Sequence, residues 1–187
     1  RPWDLGEWSA LTPEPDPPFR AMPGRLVSIY LASAAGAPIR AVPEVEALAG
    51  RGLAGDRYAD GAGSFSRWPG KGRDVTLITA EALAAAEAEF CVAVGAGQHR
   101  RNLVVEGVPL ADLRGVPFQI GGARFEGVRR CAPCKYLVRV TGQERIFDAL
   151  VRRGGLRASV IASGMVRVGD EVSWDPVDIE NRRTLPG

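Results

Sequence analysis

Two cysteines separated by two residues are the part of this sequence best suited to chemistry. Cys131 and Cys134 bound the segment Cys-Ala-Pro-Cys. Three basic residues lie directly beside it: Arg129, Arg130 and Lys135. The thiolate is the reactive form of cysteine, and nearby cations lower the pKa of a thiol because they stabilise its negative charge. The segment therefore predicts a reactive thiol or a ligand for a soft metal, with an ordinary surface turn as the alternative.

The third cysteine and the only histidine complete a Cys₃His set, which is a ligand set of structural zinc. The separations disfavour such a site, because only Cys131 and Cys134 have the short spacing that zinc sites use. Cys91 falls within a predicted helix, where we expect a small thiol to be buried in the core. His99 has no serine motif or carboxylate pair beside it, so we expect a structural or solvated imidazole.

Arginine-rich segments are candidates for binding anions. Residues 100–102 read Arg-Arg-Asn and precede a predicted strand, so one guanidinium can face an enclosed anion while the other stays in water. Arg101 is the one that we expect to face inward. Arg152 and Arg153 end a predicted helix, where we expect them to complement the helix dipole instead. Asp56 is expected to make a local turn or to orient an arginine.

Composition narrows the class of protein. The chain has 187 residues, which is enough for one domain with its own core. Its formal net charge of +2 gives no support for a nucleic-acid partner, and no apolar run reaches the length of a membrane span. Three cysteines do not make a disulfide framework, so we expect a reducing, cytoplasmic environment.

The elements that must position these residues are mostly short strands. Thr79 is predicted to cap the first of two helices, and Pro43 should place its strand at a sheet edge or a bulge. Gly121-Gly122 is predicted to form a two-residue hairpin turn with positive φ at both positions. The predicted strands cover residues 25–31, 39–48, 74–79, 101–106, 116–120, 123–129, 156–162 and 166–174, and the predicted helices cover residues 80–91 and 143–153.

This pattern predicts a mainly β fold with two or more helices (α+β), arranged as a closed or half-closed β-barrel. We place this domain at residues 23–175, after a Pro/Trp-rich N-terminal arm (1–22) and before a polar C-terminal tail (176–187) that is ordered only if it docks. Residues 59–73 are rich in glycine and are predicted to form a mobile loop. Within it, Trp68 is interpreted as a clamp on a ligand or as an anchor for the loop.

Five segments, taken in order, resemble the MOSC domain, which occurs at the C-terminus of molybdenum cofactor sulfurases and in small stand-alone bacterial proteins. An ordered series of motifs is more specific than any one of them. The resemblance implies a strand-rich, barrel-like domain with a single essential cysteine. The segments are GLAGDRY (52–58), VTLITAEAL (75–83), RRNLVVEGVPLADLRG (100–115), FQIGGARFEGVRRCAPCKYL (118–137) and GGLRASVIASGMVRVGDEV (154–172).

The family's cysteine matches Cys134, through the Pro-Cys-x-x-Leu pattern of residues 133–137. The resemblance implies that Cys134 either ligates molybdenum in the molybdenum cofactor (molybdopterin) or carries sulfur as a persulfide, with Cys131 as a candidate resolving thiol. A pyridoxal-phosphate cysteine desulfurase is the implied sulfur donor. The residues assigned to cofactor binding by the matching motifs or by their charge beside the thiols are Asp56, Arg57, Arg101, Asn102, Arg130 and Lys135.

Three functions therefore stand as expectations. The first is binding of the molybdenum cofactor and/or persulfide sulfur transfer to metal–sulfur centres through Cys134. The second is a cofactor-dependent reductase of N-hydroxylated compounds, since a longer relative in this family reduces N-hydroxylated bases. The third is a non-catalytic β-barrel binding module, with or without structural zinc. The expected partners are a pterin cofactor or a sulfur acceptor, with neither nucleic acid nor a membrane.

Overall fold

The computed structural model describes residues 23–63 and 72–184, so the predicted N-terminal arm and Trp68 lie outside the described residues. Within these ranges the chain forms eleven strands and four helices. The strands are β1 (Gly24–Leu31), β2 (Arg40–Val42), β3 (Glu44–Leu48), β4 (Gly52–Leu53), β5 (Val75–Thr79), β6 (Leu103–Glu106), β7 (Pro117–Ile120), β8 (Ala123–Arg130), β9 (Leu156–Ala162), β10 (Gly164–Arg167) and β11 (Glu171–Trp174). The helices are α1 (Ala80–Phe90), α2 (Lys135–Thr141), α3 (Ile146–Val151) and α4 (Pro176–Thr184).

Seven strands close into a barrel in the order β1-β6-β5-β9-β8-β7-β11, and pairing of β11 with β1 completes the ring. Neighbours are antiparallel except β5 and β6, which run parallel with helix α1 between them in the chain. An odd ring of strands cannot close with alternating directions alone, so one parallel pair is required. The expected mainly β, barrel-type fold is confirmed, and the barrel is closed.

A separate three-stranded sheet, in the order β10-β3-β4, lies beside the barrel. The strand predicted over residues 39–48 divides at Pro43 into β2 and β3, which belong to different sheets. Proline has no backbone N–H and cannot continue a ladder, so the break falls where the sequence places it. The carbonyl of Pro43 is still used, because it accepts a hydrogen bond from the N–H of Val168 at 2.9 Å.

Two apolar clusters stabilise the fold. One fills the barrel, where the rings of Phe118 and Phe125 stack with centroids 5.5 Å apart. The other lies under helices α1, α2 and α3, and it includes Ile78 of β5 and Val104 of β6. Both strands are therefore covered on two faces, which is why each reads as a nearly continuous buried run rather than as an alternating one.

Helix α1 has defined caps at both ends. Thr79 Oγ1 accepts a hydrogen bond from the N–H of Ala82 at 3.1 Å, as predicted. Cys91 follows the helix in the left-handed region, at φ 53°, and is exposed. The prediction of a buried core thiol at Cys91 is therefore wrong, because the helix ends one residue earlier than expected and the cysteine leaves its packed face.

The hairpin between β7 and β8 turns at Gly121 and Gly122, since Ile120 pairs with Ala123. Gly121 has φ 54°, but Gly122 does not have positive φ, so the prediction holds for the first glycine only. A Cβ at Gly121 would also collide with the carboxylate of Asp170. This position thus needs glycine for both conformation and space.

Residues 176–184 form helix α4, and Ile179 packs it against the barrel core. The sequence predicts that the polar tail is ordered only if it docks, and Ile179 provides a docking contact. In the ranges that the structure describes, no helix is both long and apolar enough to cross a membrane.

Candidate functional site

A buried polar network, which consists of Asp56, Arg57, His99, Arg101 and Asn102, lies at one end of the barrel. Asp56 is completely buried and accepts hydrogen bonds from the N–H groups of Ala32 and Tyr58 and from the side chains of Arg57 and Asn102. A buried carboxylate needs such donors to replace water. Asp56 therefore makes both its expected local contact, through Tyr58, and its expected contact with an arginine.

Asn102 connects three strands through its side-chain amide. Its Oδ1 accepts hydrogen bonds from the N–H and the hydroxyl of Thr76, at 3.2 and 2.8 Å. Its Nδ2 donates to the carbonyl of Tyr30 at 3.1 Å and to Asp56 Oδ2 at 3.2 Å. Because every amide position is used inside the protein, Asn102 fixes how the starts of β5 and β6 meet the end of β1.

Arg101 is buried, as expected of the inward-facing arginine, but its guanidinium bonds to backbone rather than to an anion. It donates from Nε to the carbonyl of Gly154 at 2.8 Å, from Nη1 to that of His99 at 3.1 Å, and from Nη2 to that of Cys131 at 3.1 Å. Gly154 permits this approach, since a Cβ there would collide with the carbonyl of Cys131. Arg101 thus ties the cysteine segment to the residues before β9.

His99 is a buried structural imidazole. Its Nδ1 accepts a hydrogen bond from the N–H of Arg101 at 3.0 Å, and its ring meets that of Tyr30 edge-on at 5.3 Å. Burial, followed by the charge of Arg101, lowers the pKa of His99 to about 3, so the ring is neutral at physiological pH. Among the described residues, no group of three or more histidine, cysteine or acidic side chains is placed to hold a metal ion.

The two thiols of the Cys-Ala-Pro-Cys segment lie in different environments. Cys131 is buried and Cys134 is exposed, and both are free cysteines. Cys134 immediately precedes helix α2, whose first residue is the exposed Lys135. Arg130 is also exposed, but its Nη2 donates to the carbonyls of Val151 and Arg152, each at 3.2 Å. The thiol at position 134 is therefore accessible, and one cation, Lys135, occupies the adjacent position of the chain.

Arg100 and Tyr136 are part of the candidate site and were not among the site residues predicted from the sequence. Arg100 Nη1 donates to the carbonyl of Ala37 at 3.2 Å, but its Nη2 and the hydroxyl of Tyr136 are buried with no hydrogen-bond partner in the described part of the chain. Burial, then the charge of Arg57, lowers the pKa of Arg100, while Tyr136 and Asp56 oppose that shift. Tyr136 is two residues beyond Cys134, a spacing that could have drawn attention to it.

Two buried donors without partners fit a negatively charged oxygen or sulfur, because leaving such groups unbonded costs about 1–3 kcal/mol each. Arg57 adds positive charge to this neighbourhood, and its guanidinium also lies over the ring of Tyr58 at 5.0 Å from the centroid. The candidate site therefore combines a fixed polar support with two donors that have no partner among the described residues, and Cys134 immediately precedes the helix that carries one of them.

Comparison with known proteins identifies the type of domain. A model of the MOSC domain family matches residues 65–173, which is more than half of the chain. A search of curated protein sequences finds no match.

Solved structures of similar fold include three bacterial proteins. The YuaD protein of Bacillus subtilis is 19% identical with a TM-score of 0.65, over 81% of this chain and 94% of that one. YiiM of Geobacillus stearothermophilus is 15% identical with a TM-score of 0.64, over 82% and 75%. YiiM of Escherichia coli is 20% identical with a TM-score of 0.59, over 81% and 69%. At these identities the likeness establishes the fold alone.

Proposed function

We propose, because the chain belongs to the MOSC domain family, that Cys134 is its working residue, as a ligand to molybdenum in the molybdenum cofactor or as a persulfide sulfur carrier. One observation carries the proposal. An exposed thiol precedes a helix whose second residue, Tyr136, has a buried hydroxyl without a partner among the described residues. The family is associated with the molybdenum cofactor, and a thiolate is a soft ligand of the kind that soft metal centres prefer.

In this proposal, the polar residues of the candidate site have two roles, which are binding of the anion and support of the fold. Arg100 Nη2 and the Tyr136 hydroxyl supply hydrogen bonds to an anionic oxygen of a phosphorylated pterin or to the anionic end of a persulfide. Arg57 adds charge to the same neighbourhood. Arg101 and Asn102 act as supports, since their hydrogen bonds go to the protein itself. The bound cofactor would supply the redox-active metal.

In the carrier role, the Cys134 thiolate attacks the outer sulfur of a donor persulfide. The sulfur–sulfur bond of the donor breaks, the donor thiolate leaves, and a persulfide remains on Cys134 with no net oxidation. A persulfide-bearing cysteine desulfurase dependent on pyridoxal phosphate is the donor of this class. Exposure of Cys134 permits such an exchange, whereas Cys131 is buried and would act as a resolving thiol only after the segment opens.

The test is to purify the protein gently from a host that makes the cofactor and to measure molybdenum, pterin and sulfane sulfur. Cys134→Ser is compared with Cys91→Ser, which removes the other exposed thiol. We expect molybdenum with pterin, or one extra sulfur on the Cys134 peptide, in the wild type and Cys91→Ser but not in Cys134→Ser.

Measurements on the same preparation distinguish a reductase from a sulfur carrier. Stoichiometric molybdenum together with turnover of an N-hydroxylated compound assigns the reductase, and labile sulfur without molybdenum assigns the carrier. If Cys134→Ser retains the molybdenum cofactor or the sulfane sulfur found in the wild type, the proposal is contradicted. It is also contradicted if zinc is the only metal found. Arg100→Gln should lower occupancy by about tenfold relative to Arg124→Gln, an exposed arginine on β8 that serves as the control.

A further inference from the structure

A cleft that Cys134 does not line is a second candidate site. This cleft has a volume of about 620 Å³ and lies where the ends of β5 and β8, the residues after β6, and helix α4 meet. Its apolar surface includes Val108, Leu110 and Ile179. We call it the basic cleft, because six arginines line it: Arg114, Arg130, Arg152, Arg153, Arg182 and Arg183.

The charge of the basic cleft is out of proportion to that of the protein. Six arginines and one acidic residue, Asp112, give it a formal excess of five positive charges, whereas the whole chain has a net charge of +2. Like charges gathered in one concavity repel each other and destabilise the compact state. An anion bound among them removes that cost, and low-dielectric walls strengthen its attraction.

Three of these six arginines have guanidinium groups without a partner among the residues that the structure describes. In the part of the chain that the structure describes, the guanidinium groups of Arg114, Arg152 and Arg182 make no ion pair or hydrogen bond. Arg153 pairs with Glu89 through Nη2 at 2.7 Å, but its Nη1 is buried with no partner among the described residues. Within the described ranges, three guanidinium groups without partners and one buried, unpartnered N–H thus line the same cleft.

Helix α4 adds a wall that the family match does not include, since that match ends at residue 173. Ile179 anchors the helix in the core and also lines the cleft, while Arg182 and Arg183 lie in its last turn. Arg183 pairs with Asp112 at 2.9 Å, whereas Arg182 has no ion pair with any described residue. The cleft is therefore a feature of this chain's own C-terminal segment together with the barrel.

We propose that the basic cleft binds a small organic phosphate that carries two or more phosphoryl groups. Arginine presents planar, paired donors that match phosphate oxygens, and several free guanidinium groups suit several charges on one ligand. The volume is that of a small-molecule site, and the apolar lining accommodates an uncharged part of the ligand. None of the lining residues is aromatic, which disfavours a platform for stacking the bases of a nucleic-acid strand.

The experiment is calorimetric titration of the full chain with tripolyphosphate, ADP, adenosine, citrate and poly-glutamate. We expect tripolyphosphate and ADP to bind, adenosine not to bind, and affinity to fall as salt is raised. Saturating ADP should also raise the thermal midpoint by about 5 to 10 °C. Arg114→Gln and Arg182→Gln should each raise Kd about tenfold, and Arg152→Gln provides a third test if either variant folds poorly.

Arg124→Gln is the matched control, because it removes an exposed arginine outside the cleft and should leave Kd unchanged. Cys134→Ser should also leave it unchanged, so failure here is distinguishable from failure of the thiol proposal. Equal Kd values for Arg182→Gln and Arg124→Gln, or no binding of either phosphate, overturn the proposal. Tighter binding of citrate overturns the choice of phosphate, and tighter binding of poly-glutamate indicates an acidic protein partner instead.

Discussion

The buried polar network and the basic cleft use arginine in opposite ways. Arg101 is enclosed, and its guanidinium is occupied by three backbone carbonyls, so it fixes the protein. Arg152 and Arg182 line an open cleft and have no partner in the described ranges, so they remain available to a ligand. A buried charged group is normally hydrogen-bonded within the protein, because water cannot reach it. An exposed charged group is hydrogen-bonded to water, which a ligand can replace. Arginine therefore stabilises the fold in the buried polar network and is available for ligand binding in the basic cleft.

The largest effect that separates the two regions should come from Asp56→Ala. This change removes an acceptor from four donors and leaves Arg57 and the amide of Asn102 short of a partner in a buried place. We expect the free energy of unfolding to fall by about 3–5 kcal/mol. Asp60→Ala, at an exposed aspartate nearby, should change it by less than about 0.5 kcal/mol. Urea unfolding measures both, and similar losses would contradict the supporting role.

Arg101→Ala and Arg152→Ala compare one arginine from each region. Loss of the Arg101 guanidinium leaves three carbonyls without their donors, so we expect about 3 kcal/mol of destabilisation. Loss of the Arg152 guanidinium should change stability by no more than about 0.5 kcal/mol, because it relieves repulsion and breaks no side-chain hydrogen bond or ion pair within the described residues. Urea midpoints of the two variants measure this difference in stability. Similar destabilisation by Arg152→Ala and Arg101→Ala would contradict it.

A pH-dependent effect, small near neutral pH and growing as the pH falls, should come from His99. The ring stays neutral in the fold down to pH about 3, whereas an exposed imidazole has a pKa of about 6.5. Below pH 6.5 the unfolded chain therefore binds a proton that the native protein does not bind. Stability from His99 is present above that pH and is lost as the pH falls, by about 1.4 kcal/mol per pH unit.

His99→Asn keeps an acceptor for the N–H of Arg101 and should remove this slope. Unfolding free energies measured between about pH 7 and pH 4 test it, and parallel curves for the two proteins would refute the assignment. Asp74 acts in the opposite sense, because burial raises the pKa of its carboxyl group and its stabilisation fades as the pH rises. That contribution is common to both proteins and cancels in the difference.

Much of the fold follows from local patterns. Strands β1, β5 and β9 and the cap at Thr79 are where the sequence predicts them, because alternation, turn residues and capping act over a few residues. Helices α2 and α4 lie outside the two predicted helical spans, since neither has a strong apolar stripe. The ends of such short helices depend on tertiary packing, which no local pattern carries.

The candidate site, like the fold, could be predicted from the sequence only in part. The spacing of Cys131 and Cys134 predicts a candidate thiol in this segment. It does not predict which of the two is exposed, because burial depends on tertiary contacts of the segment, such as the hydrogen bond from Arg101 to the carbonyl of Cys131. Arg100 and Tyr136 were overlooked for a related reason. Each is unremarkable in its own segment, and only the fold leaves their donors buried and unpaired in one neighbourhood.

By itself the sequence determined the class of fold, the positions of the main strands and the segment that contains the candidate thiols. Only the tertiary structure decided what each arginine does. Arg101 reaches Gly154 across more than fifty residues of chain, and the basic cleft joins arginines from β8, the end of α3 and helix α4. Intrinsic preferences act between near neighbours, whereas the partner of a long charged side chain is set by strand register and by packing between distant segments.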